Sequence, residues 1–315
     1  MKRRSFFKGL FGAYAGISGY FSVKYFSEKD KKPKFEYKLN NRCDDDTIGK
    51  LDKKIIGLIG YPIVYNCNLN CARCDHFAPI AKPYQVPFEV IKKDFKQLSK
   101  IINKEGELKV LWIIGGEPLL HENLPEVLKA AREYFPKTKI ELTTNGFLID
   151  KQEDIFWETC SNNNIKIIIE NYIYNEKNID FNKICEKLKK FHCDLKVNGP
   201  KYQFKPMDLT KEISHDAQNR YKSCFPKLWP ILDNGKFYSC SVINGVDKFF
   251  NKEFPSHAIP VCSEDVLDIY KIKSIDELIA FYEKPKAFCA HCNYFISEGK
   301  KWAPSKKELS EWYKV

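Results

Sequence analysis

This 315-residue chain lacks an apolar run long enough to cross a membrane. The uncharged stretch near its start, Gly9 to Val23, is fifteen residues long, whereas a spanning helix needs about 20. A basic stripe for nucleic acid is missing as well. The net charge is +11, but residues 1–42 hold eleven Lys or Arg against Glu28, Asp30 and Glu36, giving 11 − 3 = +8, so the other 273 residues carry only +3. That leaves nucleic acid without an electrostatic footprint outside the first segment. Nor is there a secreted disulfide framework. Twelve cysteines are present, but seven of them fall into two compact sets at metal-ligand spacing, which accounts for them differently.

The first set is Cys67-Asn-Leu-Asn-Cys71-Ala-Arg-Cys74 at the end of an apolar run. Three thiolates this close suit three corners of a cubane iron–sulfur cluster, whose usual complement is four cysteines, and the fourth iron is then open. A zinc site is the alternative for the triplet taken alone. About forty residues on, the strand-like Leu108–Ile114 leads into Gly115-Gly116-Glu117-Pro118. Two glycines at a strand end let backbone approach a ligand closely, and Glu117 offers an acceptor for an ammonium group. An ordinary strand-to-helix turn is the plainer reading. Next come Lys139–Thr143 running into Thr144-Asn145-Gly146, and the β-branched strand Ile165–Ile169 followed by Glu170-Asn171. Between these strands, Ile91, Phe95, Leu98 and Ile102 mark one amphipathic helix. Val127, Leu128, Ala131 and Phe135 mark another, with Pro125 near its start. Alternating strands and helices from Ile55 to about Val197 predict a parallel sheet with every motif at a strand C-terminus.

Cys67, Cys71 and Cys74 with Gly115-Gly116-Glu117-Pro118 and Thr144-Asn145-Gly146 resemble the signature of the radical S-adenosylmethionine (SAM) superfamily. The resemblance implies an open, partial (β/α)6 barrel over about residues 55–215, a [4Fe–4S] cluster on the three cysteines, and SAM chelated by the open iron. It assigns Gly115, Gly116, Glu117 and Pro118 to the SAM amino group, and Thr144, Asn145 and Asn171 to further contacts. Glu170 reads equally as a ribose contact or a strand-end residue facing solvent. One departure stands out: many members carry an aromatic residue just before the third cysteine, and this chain has Arg73. Adenine stacking then falls to the Arg73 guanidinium or to Phe77. His76 is read as lying beside the cluster or facing substrate, or else as local packing.

The second set is Cys224, Cys240, Cys289 and Cys292, with Gly235 placed between the first two. It resembles the opening of SPASM and Twitch domains, which follow radical SAM cores. The cysteines missing for a full SPASM domain imply the shorter Twitch arrangement, with one auxiliary [4Fe–4S] cluster. A four-cysteine zinc site uses the same ligands and stays open as the alternative. Asp233-Asn-Gly235 signals a hairpin turn leading to Cys240, and Ser274-Ile-Asp-Glu277 a capping box opening a helix before Cys289. Cys185 shares a helical face with Phe181, Ile184, Leu188 and Phe191 and reads as a core thiol. Cys43, Cys160 and Cys193 have no partner at ligand spacing, and Cys262 is a spare near the second set.

Arg3-Arg4, Phe6-Phe7 and the Gly/Ala-rich stretch resemble a twin-arginine export signal. The leading reading is nevertheless a cytoplasmic enzyme touching a membrane surface through this segment, with export by the twin-arginine route as the alternative. The expected organisation is residues 1–26 as that segment, 27–54 as linker, 55–215 as radical SAM core, 216–300 as a Twitch-like domain and 301–315 as a tail. The resemblance implies reductive cleavage of SAM to a 5′-deoxyadenosyl radical that takes hydrogen from a substrate carbon. A flavodoxin or ferredoxin would serve as reductant. Oxidation of a carbohydrate or other small polar substrate is the leading reading. A peptide- or protein-modifying maturase and a non-enzymatic iron–sulfur electron carrier are the alternatives.

Overall fold

The computed structural model describes residues 54–172, 178–224, 228–294 and 296–315, and the backbone of strands at 21–26 and 34–39. In chain order the strands of the main sheet begin with β1 (Phe21–Phe26), β2 (Lys34–Leu39), β3 (Lys54–Val64), β4 (Gly106–Gly115), β5 (Lys139–Thr144), β6 (Ile165–Tyr172) and β7 (Asp194–Lys201). Strands β3 to β7 are parallel and lie side by side in sequence order. Helices α1 (Phe88–Ile102), α2 (Leu124–Tyr134), α3 (Asp154–Asn162) and α4 (Phe181–Phe191) fill the four crossovers. This is the α/β architecture expected, with the sequence-order strand neighbours of a partial barrel.

The helices form where the apolar spacing says they should. In α1 the buried positions include Ile91, Phe95, Leu98 and Ile102, a 3.6-residue period facing the sheet. In α2 Val127, Leu128 and Ala131 are buried, and Pro125 sits in the first turn where its missing N–H costs nothing. Cys185 departs from expectation: Ile184 takes the buried position of α4 and Cys185 is only half-buried. Cys160 is buried, and Cys193 donates to the carbonyl of Trp157.

Beyond β7 and the short β8 (Gln203–Phe204) comes α5 (Ala217–Ser223), then β9 (Ile231–Asp233), which runs parallel to β3 through Gly60. It forms the expected hairpin with β10 (Lys236–Tyr238), and β11 (Val266–Asp268) extends this edge. Asn234 and Gly235 both adopt positive φ, 51° and 74°, the conformation a two-residue primed turn demands. The Ser274 capping box opens the helix Ile275–Glu283 as predicted. A second hydrophobic core joins Phe77, Tyr238, Val242, Phe250, Phe288 and Trp312.

Two of the expected segments pack onto the rest of the fold. Residues 301–315 are no free tail: Trp312 is buried in that second core and stacks on Phe77 at 5.8 Å. The proposed linker contains β2, which pairs with β1, and β1 in turn pairs antiparallel with β7. A partial barrel leaves the edge of β7 unpaired, and the added ribbon supplies its hydrogen bonds. Arg3-Arg4 and Cys43 lie outside the described residues. Among those described, no helix is long and apolar enough to cross a membrane.

Candidate functional site

The loop leaving β3 carries Cys67, Cys71 and Cys74, and a cavity beside it is walled by the ends of the next four strands. Gly115-Gly116, Thr143–Asn145, Glu170 with Tyr172, and Lys201 all line it. Asn70, Arg73 and Phe77 all have positive φ, 49°, 62° and 55°, so the loop winds tightly around its three thiols. Cys67 raises the pKa of Cys71 and of Cys74, and Cys71 raises that of Cys74, which places all three within electrostatic reach. Burial is the larger cause, pushing Cys67 up to about 11 and Cys71 to about 12.

Such thiols keep their protons at neutral pH unless a cation replaces them, so loading this site releases protons. Donors point at the sulfurs. Leu69 N and Asn145 Nδ2 reach Cys67 Sγ at 3.4 and 3.5 Å, and Trp302 Nε1 donates to Cys71 Sγ at 3.2 Å. Soft sulfur ligands with N–H donors around them are what a thiolate-bound iron–sulfur group requires. Among the described residues no three His, Cys, Asp or Glu side chains are grouped to hold a single metal ion. Three neighbouring thiols on one loop would suit a polynuclear iron–sulfur group.

Gly116 makes the closest approach. A Cβ there would lie 2.1 Å from Asn66 O and 2.4 Å from Asn66 C, both backbone atoms. Only glycine lets the β4 turn press against the chain leading to Cys67.

Glu117 braces the glycine turn from behind. Its side chain is fully buried and does not line the cavity; Oε1 accepts from Leu119 N (3.0 Å) and Thr144 Oγ1 (2.6 Å), and Oε2 from Asn145 N (2.8 Å). Burial pushes its carboxyl up to about 7. Glu117 thus ties the β4 turn to the end of β5 and leaves the glycine backbone facing the cavity. Pro118, also buried, opens the short 3-10 turn behind it. Thr144 lines the cavity while bracing Glu117, and Asn145 connects the turn to Cys67 and Asn68.

Asn171 sits at the end of β6, where its backbone oxygen would lie 2.5 Å from a Cβ at Gly199, and it does not line the cavity. Glu170 does, and it is buried rather than facing solvent. Phe77 is corrected too: it is fully buried between Trp312 and Phe250 and closed against Gly245, so it offers no face to a ligand. Arg73 does not line the cavity, whereas Asp75 and His76 do. The aromatic walls are instead Trp112, Tyr172, Phe204 and Trp229.

Two features escaped the sequence. Lys201 Nζ pairs with Glu170 Oε2 at 2.8 Å and lies 5.5 Å above the Tyr172 ring, while Asn198 Nδ2 donates to Glu170 Oε1. Tyr172 stacks on Phe204 in turn. A shift of register between Glu170 and Tyr172 brings Lys201 opposite Tyr172, and no local motif announces such a shift. The second feature is the C-terminal segment. Cys71 pairs with Pro304, Ala72 N bonds Ala303 O, Ser305 N bonds Asn70 O, and Trp312 Nε1 donates to Cys74 O.

The second cysteine set also assembles. Burial is the main cause raising the pKa of Cys240, Cys289 and Cys292, and neighbouring thiols add to it: Cys289, Cys224 and Cys292 act on Cys240, Cys224 on Cys289, and Cys224 and Cys289 on Cys292. Every pair of the four is therefore within electrostatic reach. Cys262 stands apart, exposed and bonded to Asp265. The two sets are joined by Tyr294, two residues beyond Cys292, whose hydroxyl donates to Asp75 Oδ2 at 3.3 Å next to Cys74. Asp233 ties the β9–β10 hairpin to the same region. Fully buried, it accepts from Tyr65 (2.8 Å) and Asn244 (3.0 Å) and pairs with Lys248 at 2.6 Å.

Residues 61–172 match the family model described as the Radical SAM superfamily. Among curated proteins, the chain is 33% identical over 94 residues to a GTP 3′,8-cyclase of Chlorobaculum tepidum, covering 29% of this chain and 26% of that one. It is 32% identical over 111 residues to a 7,8-dihydro-6-hydroxymethylpterin dimethyltransferase of Methanocaldococcus jannaschii, covering 35% and 21%. The matched stretch thus spans about a quarter of those relatives' length. Solved structures that resemble it include BtrN in complex with AdoMet and 2-DOIA (TM-score 0.43, 14% identity, 76% of this chain and 93% of that one). Another is anSMEcpe with bound AdoMet (TM-score 0.34, 23% identity, 45% and 43%). At TM-scores under 0.5 neither carries an argument about function.

Proposed function

We propose, from the match of residues 61–172 to the Radical SAM superfamily model, that the chain is a radical SAM enzyme acting on a small polar substrate, a carbohydrate among the candidates. The observation that carries this reading is the gathering of Cys67, Cys71 and Cys74 at the mouth of a cavity walled by the β4, β5, β6 and β7 ends. Cys67, Cys71 and Cys74 would hold a [4Fe–4S] group there, which with SAM would supply reductive cleavage of SAM to methionine and a 5′-deoxyadenosyl radical. The chain's residues do the rest. The glycine turn, held by Glu117 and Thr144, presents backbone to the cofactor side of the cavity. Asn145 and Trp302 stabilise thiolate charge on Cys67 and Cys71 through N–H···S bonds. The aromatic walls exclude water from reactive carbon. Asp75, His76, Glu170 and Lys201 give the same cavity polar and charged groups, which supports a polar substrate.

The second set of four thiols supports an auxiliary [4Fe–4S] group, able to take an electron from a substrate-derived radical. Its neighbour Tyr294 supplies a bonded route to Asp75 and the first loop. Reduced, iron-loaded protein incubated with SAM is expected to release 5′-deoxyadenosine, slowly without substrate. Methyl transfer to an acceptor with no deoxyadenosine would replace this reading with another SAM chemistry.

A further inference from the structure

The run Lys300-Lys-Trp-Ala-Pro-Ser-Lys-Lys307 holds four lysines and no acid. Lys300 and Lys301 form β12, paired antiparallel with β8. All four lysine side chains are exposed, and among the described residues no carboxylate forms an ion pair with any of them. Glu298 and Glu308 bracket the run without entering it. Its middle is the segment that covers the first cysteine loop. Pro304 pairs with Cys71 while itself exposed, as is Ala303, so one thickness of chain separates Cys71 from solvent. Trp302, half-buried, reaches inward to donate to Cys71 Sγ.

Resting on the function proposed above, we infer that this lysine-rich strap is the docking face for an acidic one-electron donor protein of the flavodoxin or ferredoxin class. Four unpaired cations in eight residues steer an acidic partner, and steering of this kind raises association rates by tenfold or more at low salt. The face is also the thin wall over a cluster ligand, so docking there brings the donor's redox centre close. With a cluster held by Cys67, Cys71 and Cys74, the transfer would oxidise the donor protein by one electron and reduce the cluster by one, with no bond formed or broken. Trp302 is a positioning residue in this scheme, linking the outer strap to the sulfur.

The test uses the full, iron-loaded chain and follows the bleaching of iron–sulfur absorbance on reduction, with reduced flavodoxin in one arm and dithionite in the other. Lys300→Ala/Lys301→Ala/Lys306→Ala/Lys307→Ala should slow reduction by flavodoxin by about tenfold or more at low salt, and leave reduction by dithionite unchanged. Each pair alone, Lys300→Ala/Lys301→Ala or Lys306→Ala/Lys307→Ala, should give a partial loss, so the result does not hang on one variant. Added salt should slow the unmodified chain with flavodoxin more than the quadruple variant. Equal rates with flavodoxin in both chains would overturn the proposal. An equal fall with dithionite would overturn it too, since a small ion needs no docking face. If dithionite bleaches nothing in the unmodified chain, the proposal fails together with the reading beneath it.

Discussion

Replacing Cys67, Cys71 and Cys74 together by alanine should cut bound iron from about eight to about four atoms per chain, counting four per cubane, and abolish SAM cleavage. The same halving is expected when Cys224, Cys240, Cys289 and Cys292 are replaced, because all four thiols share one neighbourhood. The second replacement should also lower stability more than the first. Cys292 belongs to the second hydrophobic core, whereas the first loop keeps its attachment to the C-terminal segment through backbone bonds at Ala72 and Asn70. Iron and zinc analysis of anaerobically reconstituted protein decides the point. Four irons with tightly held zinc in the unmodified chain would remove the auxiliary iron–sulfur group and leave a structural zinc site in its place. Cys262→Ala should leave both counts unchanged, since that thiol is exposed and stands outside the set.

Gly116→Ala should be nearly as damaging to the first site while changing no ligand. The added methyl carbon would sit 2.1 Å from Asn66 O and 2.7 Å from Tyr65 O, distances at which backbone must move. Clashes with the tip of a flexible side chain relax cheaply; these do not. The chain displaced is the one leading directly to Cys67, so the sulfur geometry is lost with it. The expected outcome is loss of most iron from the first site, with about four irons kept at the second, and thermal stability lowered on the order of 1–3 kcal/mol as overpacking costs. Full iron loading and unaltered SAM cleavage in Gly116→Ala would show that the turn has slack the geometry denies.

Much of this was legible in the sequence because the informative residues lie close together along the chain. The three first-site cysteines span eight residues, and the glycine turns directly end their strands. The amphipathic rows of α1 and α2, the Asn234-Gly235 turn and the Ser274 capping box are local signals with local causes. Illegible parts depend on contacts far apart in sequence. Trp302 reaches Cys71 across 231 residues, and nothing in Lys-Lys-Trp-Ala-Pro marks a cluster neighbour. The Glu170–Lys201 pair needs the register shift at the end of β6. Glu117 illustrates the converse: its position in the motif was clear, but the direction of its carboxylate depended on Thr144 and Asn145, which only the folded strand order brings within 2.8 Å. Phe77 was misread for the same reason, since its partners Phe250 and Trp312 come from the far C-terminal region.

The central claim is that three cysteines hold an iron–sulfur group with one iron open to SAM. Electron paramagnetic resonance of the anaerobically reduced full chain, recorded before and after SAM is added, tests it most directly. Part of the signal should change on addition of SAM, and that part should be missing when Cys67, Cys71 and Cys74 are alanine. A spectrum indifferent to SAM, or a SAM-induced change that survives loss of the three cysteines, would contradict the account.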